Sequence, residues 1–118
     1  GSTGELAGRV VAIQQNTRAL LANAEMAITD LMDVIVAALD NGAGDSQLAN
    51  ARLAHRRAQL RWDFIDAENS TGFHSSHEAT RILANAVQIA REGEHNVRSV
   101  ISDNVIPDLS STTIQETH

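Results

Sequence analysis

The chemistry open to this 118-residue sequence rests on five histidines and fifteen acidic side chains, because it has no cysteine. That absence excludes a thiol nucleophile, a disulfide, a Cys-ligated zinc or iron–sulfur centre, and covalent haem attachment through Cys-x-x-Cys-His within the chain. Metal chemistry is left to histidine and carboxylate. Asp30 with Asp33, and Asp63 with Asp66, stand at helical spacing and could share a cation between helices. A helical di-metal site also needs inward Glu-x-x-His pairs, and only Glu92 with His95 has that spacing, so the carboxylate pairs read as solvated faces. There is no glycine-rich phosphate loop, no Gly-x-Ser-x-Gly and no His-Glu-x-x-His.

The histidines differ in setting. His55 falls on an apolar helical seam and reads as a hydrogen-bonded core or interface residue, while His95 and His118 read as surface residues. His74 and His77 are three apart, but His74 precedes a helix cap and His77 follows it, so the two need not point the same way. His74 stands just outside a helix N-terminus, where the positive end of the helix dipole disfavours protonation and keeps an imidazole lone pair available. A left-handed turn at Gly72 and a cap at Ser75 would fix it, a setting that suits an axial iron ligand as well as an ordinary turn histidine.

The elements that position these residues follow from periodicity. Apolar side chains recur on a four-three ladder through residues 6–39 (Leu6, Val10, Ile13, Leu20, Ala24, Ala27, Leu31, Val34, Ala38), broken only by Thr17, which predicts a first helix over about 6–40. At 1.5 Å per residue it is roughly 50 Å long, more than a compact domain of this size needs. Asn41-Gly42 ends it, a short connection turns the chain, and Asp45 or Ser46 is the expected cap of a second helix over about 46–69. Leu48, Ala51, Ala58, Trp62 and Ile65 share one seam there, with Leu53, Leu60 and Phe64 widening the apolar stripe. Ser75-Ser76-His77-Glu78 has the form of a capping box and opens a third helix over about 76–105, which Ile106-Pro107 is expected to stop. The sequence thus predicts an elongated all-α fold: a flexible start at 1–5, a helical domain over 6–106 built as a long antiparallel hairpin plus a third long helix, and a polar tail at 107–118.

Composition narrows the partners. A net charge of −6 repels phosphate backbones, and no basic stripe with interleaved aromatics offsets it, so nucleic acid is not expected. The longest apolar stretch, residues 34–39, is far short of the roughly 20 residues that cross a bilayer. Residues 1–5 have neither the basic nor the apolar region of a signal peptide. With two Phe, one Trp and no Tyr, the core must be made of alanine and aliphatic side chains.

Several segments agree, in order and spacing, with one known family. Ala58-Gln59-Leu60-Arg61-Trp62-Asp63-Phe64, then Ala67-Glu68-Asn69-Ser70-Thr71-Gly72-Phe73-His74, Glu78-Ala79 and Ile106-Pro107-Asp108-Leu109-Ser110 together resemble the C-terminal helical region of ammonia-forming cytochrome c nitrite reductases, the pentahaem periplasmic enzymes. The resemblance covers residues 55–110. It implies that His74 is the distal axial ligand of a bis-histidine electron-transfer haem, that the haem c is carried by a partner chain or an upstream region, and that the long helices form a homodimer. It also implies a periplasmic location and electron delivery to the six-electron reduction of nitrite to ammonia. Where the family often has Pro or Ala-Pro after this histidine, the chain has Ser75-Ser76, which starts a helix by capping instead. The family's haem-attachment motifs, its active-site lysine and its nitrite-handling Arg, Tyr and His have no counterparts here, so this chain alone is not expected to reduce nitrite. The first and third helices are the expected dimer contacts. The alternative is a free-standing helical interaction or oligomerisation module without cofactor, in which His74 is a turn residue. The sequence assigns no role to His55 or His77.

Overall fold

The computed structural model describes the backbone of residues 2–72 and 75–116, and the side chains of residues 8, 9, 16–72 and 75–103. It is all-α, with α1 at Ser2–Asp40, α2 at Asp45–Ser70 and α3 at Ser76–Glu116. The helices lie side by side in an elongated body of 77 × 30 × 18 Å. Its radius of gyration is 19.9 Å, against about 13–14 Å for a compact domain of this length.

One seam per helix makes the core. Thr17, Leu21, Ala24, Ile28, Leu31, Ile35 and Ala38 are buried along α1, so the polar break in the ladder is itself an inward position. Leu48, Ala51, Ala58 and Ile65 are buried along α2, and Ala79, Leu83, Ala86, Ala90 and Val97 along α3. These step by three, four or seven residues, the spacing that keeps one narrow stripe facing neighbours along a straight helix. Alanine at so many seam positions lets the axes approach closely. Gly93 extends this on α3: a Cβ there would lie 3.0 Å from the Ala54 Cβ and 3.1 Å from the Leu31 Cδ1. Leu53, Leu60 and Phe64, read from the sequence as widening the α2 stripe, are instead exposed. The inward sector of α2 is narrow, because alanine-lined helices pack too closely to admit large side chains at its margins.

The ends of the helices are set by local hydrogen bonds. At the end of α1 the Ala43 N–H donates to the Ala38 carbonyl at 2.9 Å and the Gly42 N–H to the Leu39 carbonyl at 3.0 Å. With Gly42 at φ +88° this is a Schellman cap. The N-cap of α2 is Gly44, not Asp45 or Ser46. The Gln47 side chain accepts from the Gly44 N–H at 3.0 Å, while the Gln47 N–H donates to the Gly44 carbonyl at 3.1 Å. A glycine ahead of the helix adopts the extended cap geometry without strain, so the side-chain cap moves to Gln47.

Both outer boundaries differ from expectation. α1 begins at Ser2, so the backbone expected to be a flexible start is helical. α3 continues to Glu116, through Ile106-Pro107 and into the expected tail. An interior proline costs about 3 kcal/mol through one lost hydrogen bond and a clash with the preceding turn. That cost is local, and helices span it with a bend when the turns on both sides are helical.

Polar links fix the rotation of the helices about their axes. The Trp62 indole N–H on α2 donates to the Leu21 carbonyl of α1 at 2.8 Å. Arg61 donates through Nε to Asn85 Oδ1 on α3 at 2.8 Å. Arg91 on α3 reaches Asp30 of α1 at 2.6 Å and Glu94 at 2.7 Å, and Arg98 adds a second contact to Glu94 at 2.9 Å. The Arg91 hydrogen bond, reinforced by Arg98, holds the Glu94 carboxyl below its ordinary range. Arg91 is held further toward its charged form, first by Asp30 and then by Glu94.

Candidate functional site

The site proposed from sequence lies between the end of α2 and the start of α3. Phe73 and His74 are outside the described residues; both flanks are described. On the α2 side the Thr71 N–H donates to the Ala67 carbonyl at 3.2 Å, and the Thr71 hydroxyl donates to the Glu68 carbonyl at 2.9 Å. The Gly72 N–H donates to the Asn69 carbonyl at 3.3 Å. Gly72 has φ +80°, a conformation in which a side chain would be strained, so the chain leaves the helix in a defined direction.

On the α3 side, Ser75 Oγ accepts from the Glu78 N–H at 3.3 Å, the half of the capping box that satisfies a free helix donor. The Ala79 N–H donates to the Ser75 carbonyl at 2.9 Å, and the Thr80 hydroxyl donates to the Ser76 carbonyl at 2.7 Å. Replacing Ser75 by alanine is expected to destabilise the chain by about 1 kcal/mol, read from urea unfolding; an unchanged midpoint would show that the cap does not hold the start of α3.

Asn69 stands in the last turn of α2 and was not singled out by sequence reasoning. It is only 5% exposed, and its side-chain Oδ1 is buried without a hydrogen-bond partner. A buried acceptor left unpaired costs roughly 1–3 kcal/mol. Its sequence signal was a polar residue on the Leu48–Ile65 seam, one turn beyond Ile65.

The other histidines are spread apart. His77 and His95 are exposed, and His55 is half-buried in the groove between α1 and α2; His118 is outside the described residues. That groove has a volume of about 280 Å³ and places His55 beside Glu25, Asp33, Gln59 and Trp62. Among the described residues, no three His, Asp or Glu side chains come together as a metal-holding group. Asp30 is paired with Arg91, Gln59 donates to Asp63 at 3.0 Å, and Gln88 donates to Glu92 at 3.3 Å. Asp30, Asp63 and Glu92 are therefore part of surface hydrogen-bond and ion-pair networks. Among the described residues no helix is long and apolar enough to cross a membrane.

Comparison with known proteins adds what this geometry cannot. The cytochrome c552 family model matches residues 1–117. A cytochrome c-552 of Bacteroides fragilis is 35% identical over 80 residues, which cover 63% of this chain and 16% of that protein. A cytochrome c-552 of Porphyromonas gingivalis is 31% identical over 80 residues, with the same coverage. The cytochrome c nitrite reductase subunit NrfA of Nitratidesulfovibrio vulgaris is 32% identical over 66 residues, 56% of this chain and 13% of that protein. The chain thus spans about a sixth of the length of the curated relatives it matches, and no solved structure matches it. The family binds haem c, and a chain without cysteine has no Cys-x-x-Cys-His to attach it. With a family match running through nearly every residue of the three-helix body, the chain belongs to the cytochrome c552 family.

Proposed function

We propose that this chain is the helical, haem-ligating and dimer-forming segment of a periplasmic multihaem reductase of the cytochrome c nitrite reductase type. His74 supplies the distal axial ligand to a haem c attached to a partner chain or an upstream region. The observation that carries this reading is a family match over residues 1–117 in a chain without cysteine. Such a chain can complete a haem site but cannot attach one.

The donor set fits that division of labour. His74 falls between two anchored helix ends, the Gly72 turn and the Ser75 cap. The orphaned acceptor of Asn69 stands in the last turn of the helix that leads to it and is open to a donor from the complete assembly. An axial imidazole sets spin state and reduction potential through its basicity and the partner of its second N–H. The haem would relay electrons toward nitrite, whose reduction to ammonium consumes six electrons and eight protons and releases two waters. This chain's part is to hold the imidazole neutral and in place; bond-making occurs elsewhere in the complete enzyme.

The test is an absorption spectrum and intact mass of the natively purified assembly. A Soret band, with a haem-bearing polypeptide accompanying residues 1–118, is expected. A colourless 12.7 kDa species purified from cells making cytochrome c would overturn the haem reading in favour of a helical module without cofactor.

A further inference from the structure

α1 and α2 meet less extensively than either meets α3, and a groove lined by these two helices alone runs between them. Its section nearest the interhelical turn has a volume of about 230 Å³. One wall is apolar: Met32, Val36 and Leu39 of α1 stand there between 39% and 48% exposed, beside the buried Ile35. At four- and three-residue spacing they cover about 10 Å of helix. The opposite wall is α2, which brings Arg52, His55 and Arg56 to the same section.

The two arginines are four apart, so their side chains leave α2 on one face. Arg56 forms no ion pair among the described residues, and Arg52 has only a 3.7 Å contact to the almost fully exposed Asp45. A contact of that length between exposed groups contributes little. Two guanidinium forks thus stand open beside an apolar strip, in a chain whose net charge is −6. Their complement is a molecule with an anionic head and an apolar tail. A singly charged head fits best, because Glu25 and Asp33 line the adjoining section of the groove and repel a dianion. A channel recessed between two helices takes one free molecule and not the face of a bilayer.

We infer that this section of the α1/α2 groove binds a small amphipathic monocarboxylate, its carboxylate held by Arg52 and Arg56 and its aliphatic tail laid along Met32, Val36 and Leu39. His55 stands where this section meets the acidic one, and its ring N–H supplies a further donor. The site uses none of the residues of the haem reading, so the two stand or fall separately.

Isothermal titration of the 118-residue chain with octanoate tests this, with helicity checked by circular dichroism. One octanoate per chain is expected to bind saturably. Octanol and acetate, which keep only the tail or only the charge, should bind about tenfold more weakly or worse. Lengthening the tail from hexanoate to octanoate should tighten binding by about threefold per methylene. Arg56→Gln and, separately, Val36→Asp are each expected to weaken octanoate by about tenfold or more. Arg57→Gln removes the same charge from α2 outside the groove and should change nothing. Octanol binding as tightly as octanoate, or an Arg56→Gln variant indistinguishable from the parent, would overturn the carboxylate site. So would a titration without saturable heat. Capture of the chain by anionic phospholipid vesicles that octanoate does not relieve would assign the face to a lipid surface, and would overturn it equally.

Discussion

Replacing His74 with alanine in the complete haem-bearing protein is expected to convert one low-spin, six-coordinate haem to a high-spin form. A bis-histidine haem is low spin because two strong-field imidazoles occupy its axial positions, and removing one leaves five coordination or a weak water ligand. The loss should be confined to one haem: one low-spin signal disappears from the paramagnetic resonance spectrum and high-spin absorption rises by a matching amount. Folding of the chain itself should change little, because the flanking ends are held by Gly72 and Ser75 through their own hydrogen bonds. Imidazole added to the buffer should restore the low-spin signal. His74→Met should keep six coordination and raise the reduction potential of that haem, as thioether ligation does in other cytochromes. An unaltered spectrum in the alanine variant would remove His74 from the iron.

Replacing Gly93 with valine should be the most destabilising single change in the three-helix body. A Cβ at this position meets the Ala54 Cβ at 3.0 Å and both Leu31 δ-carbons at 3.1 and 3.3 Å. Ala54 belongs to the neighbouring helix and its Cβ moves only with that backbone, while Leu31 is fully buried and has little room to turn. Alanine would gain up to about 1 kcal/mol of helix propensity and lose a similar amount to crowding, so Gly93→Ala should be close to neutral. Valine adds two γ-methyls to the same space, and overpacking of this kind costs about 1–3 kcal/mol or more. At 4–8 °C of melting temperature per kcal/mol for a domain near this size, a loss of about 3 kcal/mol lowers the midpoint by roughly 15 °C. Thermal melts of the two variants beside the parent chain decide it. A valine variant as stable as the parent would mean that α3 moves away from α1 and α2 without penalty, contrary to the close contact at this point.

The family assignment was legible from the Trp62, Asn69 and His74 segments without coordinates, because a resemblance of this kind is a linear pattern of residue types in order and spacing. Asn69 shows the reverse: its type and seam position were in plain view, yet nothing local shows that its side-chain oxygen is sealed from water without a donor.

By itself the sequence determined the three helices, the Gly42 and Gly72 turns, the Ser75 cap and, among the described side chains, most of the inward seam of each helix. Each of these depends on a few consecutive residues or on a three-four repeat, and the backbone reads such patterns locally. The tertiary structure decided the rest. It put Leu53, Leu60 and Phe64 outside, made Gly93 a point of close approach, carried α3 past Pro107, and opened a groove between α1 and α2. Those outcomes follow from how far apart three axes settle and how each helix is rotated about its own. The alanines, Gly93 and the links from Trp62, Arg61 and Arg91 set them jointly, across segments distant in the chain.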